Sequence, residues 1–190
     1  MSTKHSKAAA RFIENRKQEA WHDETLWMVR VKRDKMSHSL PEWERLRELA
    51  CEIKLYSNSH LDVLLEEFEK NATANGAIVH WAKDAAEHNA IVEEILQQHK
   101  AHTLIKSKSM LTEECGMNDY LFGKGYDIIE SDLGERILQW MKLHPSHIVM
   151  PAIHIKRQEV GEMMERVLGT EKGNSDPTYL THAVRKNMRE

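Results

Sequence analysis

The chain has 190 residues, of which 41% are hydrophobic and 30% are charged, and its formal net charge is -3 at pH 7. This length and composition are typical of a globular domain with a sizeable core. The charge offers no overall attraction to nucleic acid, no apolar run approaches the roughly 20 residues that cross a bilayer, and two cysteines are too few for a disulfide framework or an iron–sulfur cluster. The amino terminus lacks the apolar segment of a secretory signal, so we expect a protein of the reducing cytoplasm.

The first 35 residues have the composition of a helical arm. They contain nine basic and five acidic residues, and they include Trp21, Trp27 and Met28. This pattern predicts a helix that packs on its own body or on a sister subunit.

Two further amphipathic helices are predicted before residue 75. In the first, apolar residues recur three and four positions apart after Pro41. The second begins at Ser59, with Asp62 completing a capping box, and ends at Asn75-Gly76. We expect the apolar face of each helix to be buried. The residues of these faces are Leu40, Trp43, Leu46, Ala50, Ile53 and Tyr56, followed by Leu61, Leu64, Leu65, Phe68 and Ala72.

Beyond residue 75 the pattern alternates between strands and helices. Strands joined by helical crossovers of this length run parallel, and helices usually cover both faces of such a sheet. The fold class is therefore α/β, a mainly parallel sheet flanked by helices with a helical N-terminal extension. The predicted strands are 77–82, 102–106, 126–130 and 147–152, and the predicted helices lie near 85–98, 111–122, 133–141 and 156–168.

The pattern divides the chain into three parts. Residues 1–74 form the helical N-terminal extension, 75–168 the α/β domain, and 169–190 a polar loop with a C-terminal helix that Asp176-Pro177 begins. Because the sequence ends without a further strand, we expect an incomplete sheet. An open sheet edge would favour self-association into a homo-oligomer.

The candidate binding site lies where ligands gather in parallel sheets, at the carboxyl ends of the strands. After the second predicted strand, KSKSM places lysines, hydroxyls and backbone N–H groups at the start of a helix, as a phosphate or carboxylate requires. The same residues also fit a solvated turn, Asp132 also fits a helix cap, and His154 also fits a structural hydrogen bond. The candidate ligand-binding residues are Lys106, Ser107, Lys108, Ser109, Thr112, Glu113, Asp132 and His154.

Lys108 is the stronger of the two lysines because it lies nearer the helix start, whereas Lys106 can instead pair with Glu130. No residue is assigned a catalytic role. His144 and His147 are separated by a Pro-Ser turn, and HExxH and CxxC are absent, so we expect no metal site. Walker, GxGxxG and GxSxG motifs are also absent.

Four motifs in order carry a family resemblance: VHWAKDAAE, IKSKSMLTEECGMN, ESDLGERILQ and PSHIVMPAIHIKRQEV. Together they resemble the N-terminal half of the lactate-utilisation iron–sulfur proteins of the LutB/YkgF type, which carry a LUD domain. The upstream segments LPEWERLRELACEIK and LDVLLEEFEKNATANG resemble that family's helical lead-in.

The resemblance implies a bacterial cytoplasmic component of a complex that oxidises L-lactate to pyruvate together with sister lactate-utilisation subunits. It also implies a fold similar to CoA-transferases and formyltetrahydrofolate cyclo-ligases. Family members hold [4Fe–4S] clusters through C-terminal cysteines that this sequence lacks. We therefore expect no cofactor in this chain, clusters in the full-length family or in partner subunits, and no activity from the chain alone.

Two alternatives to this function remain open at the level of sequence. One is a stand-alone α/β protein that binds a small anionic or CoA-like ligand, or that acts as a transferase-like enzyme. The other is a non-catalytic scaffold that binds partner subunits. Neither alternative involves nucleic acid or a membrane span.

Overall fold

The structure, a computed structural model, describes residues 5–189. Among these, residues 5–25 and 82–189 form one compact unit, and Leu26–Trp81 form a second. Most of the described chain is helical, and it contains a small parallel sheet. This composition confirms the predicted α/β class and the helical N-terminal region.

Four helices make up the amino-terminal part of the chain. The start of the fourth helix differs from the prediction, because Ser59 is the last residue of the third and its hydroxyl donates to Leu55 O at 2.7 Å. His60 takes the N-cap position without a side-chain bond, so the capping box with Asp62 is wrong. The predicted stop is correct, and Gly76 adopts a φ of +86°. The helices are α1 (His5–Glu14), α2 (Arg16–His38), α3 (Trp43–Ser59) and α4 (Leu61–Ala74).

The apolar faces predicted to be buried on α3 and α4 are largely exposed. No residue of Leu26–Trp81, all of which the structure describes, is buried. Ile53 is 56% exposed and Phe68 is 61% exposed. The spacing of apolar residues predicted the helices correctly but not their burial. An amphipathic face is buried only against a partner layer, and this unit supplies none of sufficient size.

The remaining elements belong to the α/β part of the chain. Strands β1 and β2 pair in parallel, with Thr103 opposite Asp127 and Lys106 opposite Glu130. The two strands therefore end side by side, and Lys106 and Glu130 mark the carboxyl end of the sheet. The elements are α5 (Ala85–Gln98), β1 (Thr103–Lys106), α6 (Met110–Glu114), α7 (Met117–Gly123), β2 (Asp127–Glu130), α8 (Leu133–Met141), α9 (Arg157–Leu168) and α10 (Pro177–Asn187).

Two apolar clusters stabilise this part. The first joins α5, α7 and β2, and the second joins α8, α9 and α10. Full burial of an aliphatic or methionine side chain contributes roughly 1.5–3 kcal/mol relative to exposure. Three methionines are among the buried members of these clusters. The first cluster contains Leu96, Met117, Leu121 and Ile128, and the second contains Ile137, Met163, Met164, Leu180 and Val184.

The first of the four predicted strands does not form. Residues 77–82 are irregular and have no ladder partner within residues 5–189, and Ile78 is 83% exposed. Apolar and β-branched residues favour a strand only where a neighbouring strand can satisfy the backbone groups.

The fourth predicted strand is also wrong, because residues 147–152 fold into turns. The ring nitrogen Nδ1 of His147 accepts hydrogen bonds from the backbone N–H groups of Val149 and Met150, each at 3.1 Å. A histidine side chain thus takes the donors that a sheet ladder would have used.

The helix predicted over 111–122 is divided into α6 and α7. Gly116 lies at the break with a φ of +61°, in the left-handed region that residues with a Cβ rarely adopt. The break brings Asn118 within hydrogen-bonding distance of Glu130 at the end of β2. The division of this helix therefore shapes the candidate site.

Candidate functional site

The two strand ends carry a buried ion pair. Lys106 Nζ lies 2.6 Å from Glu130 Oε1 and 3.3 Å from Glu113 Oε1, and it donates to Thr112 Oγ1 at 3.1 Å. The Lys106 side chain is 9% exposed and that of Glu130 is 2% exposed. The pairing of Lys106 with Glu130, predicted as an alternative to anion binding, is confirmed. All three donors of the ammonium are engaged, so an anion would have to displace one of these partners.

Asn118, in α7, bridges the carboxylates of Glu113 and Glu130 through hydrogen bonds. Its Nδ2 donates to Glu130 Oε1 at 2.9 Å and to Glu113 Oε1 at 3.2 Å. With Lys106 and Glu135, these residues form a group that we call the carboxylate cluster.

Three buried acceptor atoms of this cluster have no hydrogen-bond partner within residues 5–189. They are Asn118 Oδ1, Glu130 Oε2 and Glu135 Oε1. Buried polar atoms in folded proteins normally have a partner, so three unpartnered acceptors in one place require an explanation.

Glu135 is buried in the first turn of α8, with 5% of its surface exposed. Burial raises the pKa of its carboxyl, and the nearby charges of Glu130 and Glu113 raise that pKa further, while the charges of Lys106 and Lys108 oppose them. When ionised, three carboxylates face a single buried ammonium. The cluster therefore carries more negative charge than its lysine balances.

Lys108 and Asp132 lie at the edge of the same strand ends. Lys108 Nζ donates to Val149 O at 3.0 Å and lies 3.7 Å from Asp132 Oδ1. Asp132 also caps α8 by accepting the Glu135 N–H at 3.1 Å, which confirms the helix cap predicted as the alternative to ligand binding. Lys108 is thus held in place rather than free in solvent. Its binding of an anion stays a prediction.

Ser109 and Thr112 of the predicted loop form hydrogen bonds at the start of α6. Ser109 Oγ accepts from the Thr112 N–H at 3.5 Å, and Thr112 Oγ1 donates back to Ser109 O at 2.8 Å. Ser107 is exposed. Thr112 also contacts Lys106, but the hydroxyls of Ser109 and Thr112 form hydrogen bonds to the backbone at the start of α6.

His154 is engaged in the turn region that precedes α9. Its Nδ1 lies 2.7 Å from Ser146 Oγ, and the Ser146 N–H donates to Pro151 O at 3.1 Å. Burial lowers the pKa of His154, and the charge of His22 lowers it further. No hydrogen bond among the described residues links His154 to Lys106 or Lys108.

A cavity of about 820 Å³ opens beside the carboxylate cluster. Carboxylates and an amide from the cluster line one part of it, and apolar side chains from α7, α8 and the following turn line another. All its lining residues belong to the α/β part of the chain. They are Glu113, Glu114, Gly116, Asn118, Asp119, Phe122, Glu130, Glu135, Leu138, Gln139, Lys142, Leu143, His144 and Pro145.

Asn118 and Gln139 belong to the site although the sequence pattern did not identify them. Gln139 Nε2 donates to Ile128 O at 2.6 Å, and its Oε1 accepts the Glu130 N–H at 3.4 Å, so it fastens β2 to α8. One signal was present in the sequence. Glu130 follows Ile128 by two positions, and alternation places both on the same face of the strand. A glutamate on a buried face demands polar partners.

Iron–sulfur chemistry does not fit the side chains of this chain. Cys51 is exposed and Cys115 is partly buried, and two thiols cannot supply the four ligands of a [4Fe–4S] cluster. Over residues 5–189, no three His, Cys, Asp or Glu side chains are grouped so that they could hold a metal ion. In the same range, no helix has both the length and the apolar character needed to cross a membrane.

Comparison with known proteins decides the family. Residues 65–190 match the LUD domain. The chain belongs to the LUD domain family. This LUD-family chain is 38% identical over 156 residues to Lactate utilization protein B of Bacillus thuringiensis (strain Al Hakam), Bacillus cereus (strain AH187) and Bacillus anthracis (strain A0248). The resemblance inferred from the four motifs is thereby confirmed.

The aligned region is 82% of this LUD-family chain and 33% of each Bacillus protein. The chain therefore spans about a third of the length of the curated relatives it matches. No solved structure matches the chain.

Proposed function

We propose that this chain acts in lactate utilisation as the N-terminal part of a lactate-utilisation protein, within a cytoplasmic iron–sulfur complex that oxidises L-lactate to pyruvate. The observation that carries the proposal is the 38% identity over 82% of the chain to Lactate utilization protein B. The match of residues 65–190 to the LUD domain supports the same role.

In this proposal the iron–sulfur clusters belong to partner subunits or to the remainder of the full-length protein. The chain's two cysteines fit no such cluster, so no electron-transfer step is assigned to it. Its proposed contribution is to bind sister subunits. The exposed apolar side chains of α3 and α4 support this contribution, because contiguous exposed apolar surface is typical of interaction sites.

The candidate anion site is proposed to hold a carboxylate or phosphate group of a small ligand. Lys108 supplies the charge in this proposal, since it lies at the strand ends and its ammonium is only partly satisfied by Val149 O and Asp132. Ser107 is the exposed hydroxyl beside it.

Co-purification with candidate sister subunits, followed by lactate-dependent dye reduction with and without the chain, tests the proposed function. We expect the chain to retain at least one subunit, and dye reduction to fall several-fold when the chain is omitted. The double variant Ile53→Ser and Phe68→Ser should lose the subunit, whereas the polar control Lys54→Ser on α3 should retain it. Dye reduction that is independent of the chain, with no subunit retained, would contradict the proposal.

A further inference from the structure

With its carboxyl groups ionised, the carboxylate cluster carries more negative charge than Lys106, its one lysine, balances. Glu113 and Glu130 both contact Lys106 Nζ, at 3.3 and 2.6 Å, and Glu135 lies close enough for their charges to raise its pKa. A buried charge without a partner is unfavourable in a protein interior. A positively charged group bound beside the cluster would therefore stabilise it.

The unpartnered atoms of the cluster specify the kind of group. Glu130 and Glu135 are more than nine-tenths buried and line the cavity, and each has a carboxylate oxygen without a partner among the described residues. Asn118 adds an unpartnered amide oxygen. All these atoms are acceptors, so the complementary group must donate hydrogen bonds as well as carry positive charge.

The apolar part of the cavity indicates the character of the rest of the ligand. Phe122, Leu138 and Leu143 contribute apolar surface to its lining. Its volume of about 820 Å³ lies within the range of small-molecule sites, which combine apolar walls with a few placed polar groups.

We propose that this cavity binds a small organic cation, whose ammonium or guanidinium N–H groups donate to Glu130 and Glu135 and whose apolar body lies against Phe122 and Leu138. The proposal goes beyond a role in lactate utilisation and does not depend on it. The acidic cavity and the anion site proposed at Lys108 are different sites with opposite charge preference.

Two other classes of ligand fit these observations less well. A metal ion would need several ligands grouped around one point, and no such group occurs in residues 5–189. A small anion would be repelled by the acidic side chains in the cavity lining, to which a single lysine, Lys142, is opposed. The acidic residues are Glu113, Glu114, Asp119, Glu130 and Glu135.

Isothermal titration calorimetry with benzylammonium chloride at pH 7 tests the proposal. Benzyl alcohol, sodium lactate and magnesium chloride are titrated in parallel. The variant Glu135→Gln removes one charge with little change of shape, and Phe122→Ala shortens the apolar wall. Glu162→Gln, on the exposed surface of α9, is the matched control. Thermal melts establish that each variant is folded.

We expect benzylammonium to bind the parent chain and benzyl alcohol to bind far more weakly. Binding should weaken about tenfold or more in Glu135→Gln, because one charge-assisted hydrogen bond is lost, and several-fold in Phe122→Ala. Glu162→Gln should match the parent within about twofold.

Three results would overturn the proposal. Benzyl alcohol could bind as tightly as benzylammonium, which would make the site merely apolar. Benzylammonium could bind Glu135→Gln and the parent equally. Magnesium chloride or sodium lactate could bind the parent chain more tightly than benzylammonium does, which would assign the cavity to a metal ion or an anion.

Discussion

Ile128 and Glu130 lie two positions apart on the same face of β2, and they are equally buried, with 1% and 2% of their surface exposed. Ile128 packs in the apolar cluster with Leu96 and Leu121, whereas Glu130 lies in the carboxylate cluster. Burial stabilises the first position through the hydrophobic effect. At the second, burial stabilises only as far as the ion pair and hydrogen bonds offset the loss of hydration. Within one short strand, Ile128 thus stabilises the fold, whereas Glu130 places a buried carboxylate beside the cavity proposed to bind a cation.

The largest effect is expected from removing the positive charge of the carboxylate cluster. Lys106→Met leaves the buried Glu130 and the partly buried Glu113 without their ammonium, so the free energy of unfolding at pH 7 should fall by about 3–5 kcal/mol. Urea denaturation measures this loss. Lys124→Met is the matched control, because Lys124 pairs with Glu93 while half exposed, and it should change stability by less than about 1 kcal/mol. Equal effects of the two substitutions would contradict the distinction between buried and surface pairs.

A somewhat smaller loss is expected at the apolar end of the comparison. Leu121 is fully buried, and Leu121→Ala should lower the free energy of unfolding by about 3 kcal/mol through lost burial and a residual cavity. Its neighbour Phe122 is 46% exposed, so Phe122→Ala should have a much smaller effect. Thermal or urea denaturation of both variants would show the difference. A larger loss from Phe122→Ala than from Leu121→Ala would mean that α7 is packed the other way round.

A measurement of anion binding distinguishes the anion site proposed at Lys108 from the acidic cavity. A charge-assisted contact contributes roughly 1.5–3 kcal/mol, so Lys108→Ala should weaken binding of a carboxylate or phosphate ligand by about one to two decades. Calorimetric titration with lactate, pyruvate and CoA measures this change, and Lys172→Ala, an exposed lysine, is the control. If the parent and Lys108→Ala bind all three ligands equally, the loop at residues 106–109 is only a turn and does not bind anions.

The smallest expected effect is a gain in stability. Glu135→Gln replaces a buried carboxylate that has an unpartnered oxygen, and it should raise the free energy of unfolding at pH 7 by about 1 kcal/mol. Because the pKa of Glu135 is raised in the folded chain, the parent loses stability as the pH rises above the ordinary glutamate range. The gain of the variant should therefore be small at acid pH and grow with pH. The control Glu162→Gln should show no such trend, and a loss of stability in Glu135→Gln would contradict the assignment.

Features determined by local sequence were predictable. Asp132 caps α8 and Asp176 caps α10 because a side chain three residues before a backbone N–H needs no distant partner. The parallel pairing of β1 with β2 also followed from the helical crossover between them. Residues 77–82 and 147–152 failed as strands because strand formation depends on a neighbour that no local pattern specifies.

The candidate site was only partly predictable for the same reason. Strand ends identified Lys106 and Glu113, and Glu130 was foreseen as a partner of Lys106. Asn118 was missed because the left-handed turn at Gly116 brings it to the site. The cavity itself depends on how α7 and α8 pack beside β2, which the spacing of residues does not specify.

The protonation of Glu135 is the most direct test of a cation site in the acidic cavity, because Glu135 is buried and has an unpartnered oxygen among the described residues. Carbon-13 NMR of the side-chain carboxyl, followed as a function of pH with and without benzylammonium, reports its pKa in the folded chain. We expect a midpoint above that of ordinary glutamates in the free chain, and a lower midpoint once the cation is bound. A midpoint at or below the ordinary value that benzylammonium leaves unmoved would contradict the proposed cation site.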